Sequence, residues 1–131
     1  MKTLSELKKE KEDKIGTLIT DCGMFFAFSN EQFNANKTPL KEGEKYVHLG
    51  AGAYLPKGQV DNYLNGVKAI SKEFTEAVRE NKQRRANILY ELNNYECFYT
   101  GDIEDAINAL GSDYTIEEVQ EVYNIERKKA A

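Results

Sequence analysis

The side chains that commonly perform catalysis or bind metals are few in this sequence and lie far apart. His48 is the single histidine, and the two cysteines, Cys22 and Cys97, are separated by most of the chain. A zinc site needs three or four ligands, chiefly nitrogen or sulfur, and one histidine with two distant cysteines does not supply them. We therefore predict no metal site, and we expect His48 to face solvent or a neighbour that satisfies its ring.

Carboxylates give no clearer indication of catalysis. No pair of Asp or Glu side chains stands out as an acid–base couple, and no Ser or Cys nucleophile has an evident base. Asp102, Glu104 and Asp105 lack the spacing of a calcium loop, and Asp102 has the position of a helix cap. The sequence thus predicts a protein that is not an enzyme and uses no cofactor. A nuclease or hydrolase built on Glu96 and Asp102 is a minor alternative.

A pair of glycines after a predicted strand provides one hypothesis for a ligand site. The segment 50–52, Gly-Ala-Gly, lacks the third glycine of a dinucleotide-binding loop and the Gly-Lys-Ser/Thr of a P-loop. We expect a tight turn or bulge there. Its amides could still hold an anion together with Lys57, beside an aromatic ring. The candidate ligand-binding residues are Gly50, Gly52, Tyr54, Lys57 and Tyr63.

Charge is unevenly distributed along the chain, whose net charge is −4. Residues 91–126 contain ten acidic side chains and no Lys or Arg. Such asymmetry can steer a charged partner, although a solvated face and carboxylates in first helical turns would also explain it. The candidate partner-binding residues are Glu104, Asp105, Glu117, Glu118 and Glu121. Because the chain is acidic overall, we predict no sequence-specific DNA binding.

Length and composition indicate one globular domain, 1–131. Of the 131 residues, 40% are hydrophobic and 31% charged, which is typical of a protein with its own core. No apolar run approaches the roughly 20 residues that span a bilayer, and the N-terminus has no apolar signal-peptide segment. We predict a cytoplasmic protein with no membrane partner, in which both cysteines are reduced core thiols.

Apolar periodicity divides the chain into a charged N-terminal helix (1–22), a strand and loop region (24–56) and a helical region (59–130). The long apolar stripe that begins at Gln59 weakens near Asn81, so we favour two helices broken there over one bent helix. A helix so charged at its centre as the first one could pack within its own chain or pair across a homo-oligomer.

Short apolar segments at 24–28 and 45–55 predict the strands. Pro56 lacks an amide hydrogen, so we expect it to lie outside any central strand. The predicted fold is α+β, with a small two- or three-stranded antiparallel sheet packed against a mainly helical remainder.

Two segments together resemble a family of small proteins of tailed bacteriophages and prophages. They are F-F-A-F-S-N-E-Q-F from Phe25 and Y-E-L-N-N-Y-E-C-F-Y-T-G-D-I-E-D-A-I-N-A-L-G from Tyr90. This chain has Asn94-Tyr95-Glu96 where members of that family tend to carry Asn-His-Glu, so a role for that histidine does not transfer. The resemblance implies a phage or mobile-element origin and action in a bacterial cytoplasm, and it implies no reaction or ligand.

Three functional hypotheses follow. The first is a phage accessory protein that binds a host protein, one that handles nucleic acid, as an anti-defence inhibitor of the anti-CRISPR kind. The second is a binder or sponge for a nucleotide-type ligand at the glycine pair. The third is a structural or DNA-metabolism accessory protein of the phage.

Overall fold

The computed structural model describes residues 1–130, and these form seven α-helices and three short strands. The protein is therefore α+β and mostly helical, with one small antiparallel sheet, as predicted. In chain order the elements are α1 (Leu4–Asp21), β1 (Phe25–Phe26), α2 (Asn30–Asn36), β2 (Tyr46–Gly50), β3 (Ala53–Pro56), α3 (Val60–Glu80), α4 (Arg84–Asn94), α5 (Cys97–Thr100), α6 (Glu104–Leu110) and α7 (Ile116–Ala130). A 3₁₀ turn, Lys57–Gln59, links β3 to α3.

The elements group into two compact units. The sheet unit, residues 8–74, contains the three strands, α2 and most of α1 and α3. The helical unit contains residues 1–7 and the chain from Thr75 onward, including α4 to α7. The single domain 1–131 stays a prediction.

Local capping residues set the helix ends. At the start of α1 the Thr3 hydroxyl accepts a hydrogen bond from the Glu6 amide at 3.2 Å, and the Glu6 carboxylate accepts one from the Thr3 amide at 3.4 Å. This reciprocal pair satisfies two amides that the helix itself leaves without acceptors. The predicted break near Asn81 is also confirmed, because α3 ends at Glu80 and α4 begins at Arg84.

The sheet has the order β1-β3-β2, and both pairings are antiparallel. The expectation that Pro56 lies outside a central strand was wrong, since it is the last residue of the central strand and pairs with Tyr46. The amide of Lys57 donates to the carbonyl of Lys45 at 2.8 Å. By the alternation of an antiparallel ladder, the Pro56 nitrogen then points away from β2. On that side β1 pairs only as far as Tyr54, so no hydrogen bond is lost.

The two units have cores of different size. The helical unit buries a cluster of residues from the segment α4 to α7. Ile103, Ile107 and Leu110 add partly buried side chains, and together with the buried Ala106 they have the i, i+3, i+4, i+7 spacing of one helix face. The sheet unit has only four buried residues in its cluster. These are Cys22, Met24, Ala53 and Leu55.

Both cysteines are buried free thiols, in agreement with the sequence-based prediction. Burial raises the pKa of each thiol, because the thiolate loses hydration there. Of the helices in the described part of the chain, none is both long and apolar enough to cross a membrane.

Candidate ligand-binding groove

The β2–β3 hairpin turn is built on three consecutive residues with positive φ. They are Gly50 (92°), Ala51 (49°) and Gly52 (75°), and the ladder has a bulge between His48 and Gly50. Glycine adopts this left-handed conformation without a steric cost, which explains two of the three positions. The predicted turn or bulge at the glycine pair is therefore confirmed.

Gly52 also allows the ring of Phe28 to lie directly on the backbone of the turn. A Cβ added at Gly52 would lie 2.6 Å from two ring carbons of Phe28, well inside van der Waals contact. Next to it, the amide of Ala27 donates to the carbonyl of Gly52 at 2.9 Å. Phe28 is held beside the turn on one side, while 76% of the residue stays exposed.

A continuous row of aromatic rings covers the same side of the sheet. The Tyr54 ring stacks between two others, with centroids 4.5 Å from His48 and 5.6 Å from Phe25, both within 18° of parallel. Phe33 of α2 and Tyr46 of β2 pack their edges against this row. Aromatic pairs favour such offset-stacked and edge-to-face arrangements, so the row is internally stabilised.

Between Phe28 and this row lies an open groove of about 540 Å³. Three of its eight lining residues, Phe28, Phe33 and Tyr54, carry aromatic rings, and Ser29, Asn30 and His48 add polar groups. The lining residues are Ala27, Phe28, Ser29, Asn30, Phe33, His48, Gly52 and Tyr54. Volume and composition match small-molecule sites, which are mostly apolar and carry a few polar groups that fix orientation.

A model described as a family of unknown function, DUF7659, matches residues 7–130. The chain belongs to DUF7659. No curated protein and no solved structure matches it.

This DUF7659 protein brings together only some of the predicted ligand-binding residues. Gly52 and Tyr54 line the groove, and Gly50 lies in the same turn without lining it. Lys57 follows the opposite end of β3 and is exposed. Tyr63 packs against the buried cluster that contains Ala53 and Leu55. Because alternate residues of a strand point to opposite faces, Tyr63 and Tyr54 lie on different sides of the sheet.

The predicted acidic residues lie in the helical unit, and one of them is already used by the fold. Glu104 and Asp105 are exposed in the first turn of α6, and Glu117 and Glu121 are exposed on α7. Glu118 instead accepts two hydrogen bonds from the Arg84 guanidinium, at 3.0 and 2.8 Å.

The ion pair made by Arg84 shifts the pKa values of both partners. The hydrogen bonds from Arg84 lower the pKa of Glu118, since they favour its charged form. Arg84 also binds Asp113 at 2.8 Å and lies over the Tyr114 ring, 4.1 Å from its centroid. The hydrogen bonds to Glu118 and Asp113 raise the pKa of Arg84. Glu118 is thus paired with Arg84 within this DUF7659 protein, and its role in binding a partner stays a prediction.

Within residues 1–130, no three His, Cys, Asp or Glu side chains lie close enough together to hold a metal ion. His48 is exposed, as expected, and its ring stacks on Tyr54. Asp102 accepts a hydrogen bond from the Glu104 amide at 2.9 Å, but the N-cap residue of α6 is Ile103, one residue after the predicted cap.

Sequence reasoning missed Phe28 and Phe33 as groove residues and gave His48 no binding role. The segment 24–28 was predicted as a buried strand, yet only Phe25–Phe26 pairs and Phe28 is exposed. One signal was available. Ser29 caps α2 by accepting from the Gln32 amide, and the Gln32 side chain in turn accepts from the Phe28 amide at 2.8 Å, so this amide serves the helix cap instead of a strand.

Proposed function

We propose that this protein is a binding protein and that its aromatic groove takes the planar ring of a nucleotide-type ligand. The single observation that carries the proposal is the pairing of an exposed Phe28 with the His48–Tyr54 stack around one groove. Phe28 is 76% exposed and therefore contributes little to the core of the protein. A ligand ring stacked on it would bury that surface.

The composition of the groove favours a flat, uncharged ring. None of its lining residues is Asp, Glu, Lys or Arg, so the groove offers neither a carboxylate for a cation nor a fixed positive charge for a phosphate. Ser29, Asn30 and His48 supply hydrogen-bonding groups for the edge of a heterocycle. Stacking of a nucleobase on an aromatic side chain is worth roughly 1–3 kcal/mol.

The test is a binding scan of the purified chain with nucleobases, nucleosides, mononucleotides and cyclic dinucleotides. Thermal unfolding gives the first readout, because a ligand at about 100 times its Kd adds roughly 2.7 kcal/mol to stability. Calorimetry then gives Kd for any ligand found. We expect the base or nucleoside alone to bind, with a smaller contribution from the phosphates.

Phe28→Ala locates the binding site, and Tyr99→Ala is its matched control. Tyr99 is 91% exposed and lies in the helical unit, so both variants remove an exposed aromatic ring. We expect Phe28→Ala to weaken binding about tenfold to a hundredfold and Tyr99→Ala to leave Kd unchanged. A flat scan, or equal Kd values for Phe28→Ala and the parent chain, contradicts the proposal.

A second candidate is the binding of a host protein by a phage-encoded inhibitor of the anti-defence, anti-CRISPR kind, in the cytoplasm of the infected bacterium. It is supported by the exposed carboxylates of α6 and α7 and by the resemblance to phage proteins. A groove or patch rich in Lys and Arg, as in a nucleic-acid-handling protein, would complement them. A structural or DNA-metabolism accessory role in the phage would use the same surface with a different partner.

Reversing charges tests this second candidate. Four exposed carboxylates of the helical unit are changed to Lys in one variant, and four of the sheet unit in its control. The first set is Glu104, Asp105, Glu117 and Glu121, and the control set is Glu12, Glu31, Glu42 and Asp61. A host protein captured from a bacterial lysate should lose affinity for the first variant alone. Equal affinity for both variants contradicts the candidate.

A further inference from the structure

The start of α2 contributes three consecutive residues to the groove, and one capping box fixes their backbone. The Gln32 amide donates to the Ser29 hydroxyl at 3.1 Å, and the Phe28 amide donates to the Gln32 side-chain oxygen at 2.8 Å. These two hydrogen bonds hold the chain on both sides of Ser29. Phe28 and Asn30 flank Ser29 and both line the groove. The same local structure therefore fixes the backbone from which the Phe28 ring and the Asn30 side chain extend.

The fold itself does not account for the asparagine at position 30. Asparagine favours the N-cap of a helix, but the N-cap of α2 is Ser29. Inside a helix, asparagine is one of the weaker helix formers. Among the described residues the Asn30 side chain has no hydrogen-bond partner, whereas the Ser29 hydroxyl and the Gln32 side chain each have one. The donor and the acceptor of the Asn30 amide are therefore available to a ligand.

Asn30 is also the one amide side chain among the described residues that line the groove. An amide carries an NH₂ donor beside a carbonyl acceptor, so it forms two parallel hydrogen bonds with a donor and an acceptor that are adjacent on a ring edge. The two nitrogens of the His48 ring point in different directions, and the hydroxyls of Ser29 and Tyr54 each present one oxygen. Of these side chains, Asn30 alone can pair with two adjacent groups at once.

We infer that Asn30 selects the ligand of the groove by pairing with a donor and an acceptor side by side on its edge, as adenine presents them. This inference rests on the proposed binding of a planar ring and adds the edge by which that ring is recognised. The amino donor of adenine lies between two ring acceptors, N1 and N7, so both edges match the amide of Asn30. Stacking on Phe28 gives affinity for any flat ring, and Asn30 discriminates among rings.

The experiment measures Kd by calorimetry for adenosine and for purine riboside, with the parent chain and with Asn30→Leu. Purine riboside has the same ring and sugar but lacks the amino group that donates to the amide oxygen. The parent chain should bind adenosine about tenfold more tightly than purine riboside. Asn30→Leu should bind the two nucleosides with nearly equal Kd. Asn34→Leu, an exposed position of α2 outside the groove lining, is the matched control and should keep the tenfold preference.

Asn30→Asp tests the same contact in the opposite direction. A carboxylate only accepts hydrogen bonds, so it pairs with the two donors of guanosine, N1–H and the 2-amino group, and repels the ring acceptor of adenosine. Relative to the parent chain, the preference for adenosine over guanosine should fall about tenfold. A carboxylate in the first turn of α2 also favours the helix, and circular dichroism establishes that the variant is folded. A preference equal to that of the parent chain contradicts the inference.

The ratio of two Kd values separates recognition by Asn30 from a structural role, because damage to the groove weakens both nucleosides alike. If the parent chain binds nucleosides without favouring adenosine over purine riboside, the inference is wrong. It is also wrong if Asn30→Leu keeps the tenfold preference. In both cases the proposed binding of a planar ring stands, provided that Phe28→Ala still weakens it. If no base or nucleoside binds the parent chain, the proposed function fails and this inference fails with it.

Discussion

The helical unit and the sheet unit differ in whether their most prominent side chains have partners within the fold. In the helical unit Arg84 joins Glu118, Asp113 and the Tyr114 ring, and Arg85 pairs with Glu126 at 2.9 Å. In the sheet unit an equally conspicuous group of aromatic rings leaves Phe28 largely exposed beside an open groove.

This contrast shows why residue type alone is a poor guide to a binding site. A carboxylate in an acidic run attracts attention in the sequence, yet Glu118 is held by an arginine 34 residues away and serves the fold. A phenylalanine in an apolar run suggests a core, yet Phe28 is exposed. A side chain that is already paired within the fold is a weaker candidate for binding than a large apolar side chain that the fold leaves exposed.

The largest effect is expected from the core of the helical unit. Leu92 is 0% exposed and belongs to its buried cluster, so Leu92→Ala should lower the free energy of unfolding by about 2–5 kcal/mol. Phe28→Ala, its counterpart in the groove, should change stability by no more than about 0.5 kcal/mol. Urea denaturation followed by circular dichroism measures both. Similar losses would mean that Phe28 is part of the core after all.

Arg84→Gln should have the next largest effect. It removes the guanidinium that binds Glu118 and Asp113 and leaves Glu118 without its partner in a partly buried position. We expect a loss of about 1–3 kcal/mol. Arg85→Gln is the matched control, because Arg85 is about half exposed and exposed pairs contribute about 0–1 kcal/mol. Equal losses for the two variants would show that the Arg84 network stabilises no more than a surface pair.

The pH dependence of that loss gives a further test. Arg84 lowers the folded-state pKa of Glu118 below its usual value near 4.5. The stabilisation is therefore fully present above that usual value and is lost as the pH falls through the folded-state pKa. The stability gap between the parent chain and Arg84→Gln should be constant near pH 7 and shrink below about pH 4. A gap that stays constant into strong acid would exclude this pair as its source.

Local rules predicted the helices well because their determinants lie within a few residues. The Thr3–Glu6 capping box, the break near Asn81 and the stripe that ends at Leu110 each depend on spacing within one or two turns. At the start of α7 only half of another capping box forms. The Thr115 hydroxyl accepts from the Glu118 amide at 3.1 Å, but the Glu118 carboxylate turns to Arg84 instead of back to Thr115.

Contacts between distant segments could not be predicted in this way. The sheet order places β3 between β1 and β2, although β1 is only two residues long and leaves almost no pattern in the sequence. The groove depends on this order, because β3 carries Tyr54 and the hairpin turn carries Gly52. The glycine pair was recognised as special for its turn, but the ring that lies on Gly52 comes from another segment.

Gly52→Ala should separate the cost of backbone strain from the loss of the groove. Gly52 and Gly43 have nearly the same φ, 75° and 78°, and an added Cβ at Gly43 meets no atom within 4 Å. In both positions alanine should cost about 1–2 kcal/mol, because an L-residue is strained in the left-handed region. Only at Gly52 must the Phe28 ring also move. That ring is mostly exposed, so its displacement adds little to the loss of stability.

The two alanine variants should therefore unfold at similar urea concentrations and differ in ligand binding. Gly43→Ala should keep the Kd of the parent chain for whichever base or nucleoside binds, because the groove is untouched. Gly52→Ala should weaken binding about as much as Phe28→Ala, since both remove the ring from its position on the turn. If Gly52→Ala binds as well as Gly43→Ala, the position of Phe28 on the hairpin turn does not matter for binding. Tyr54 and His48 would then form the binding surface without it.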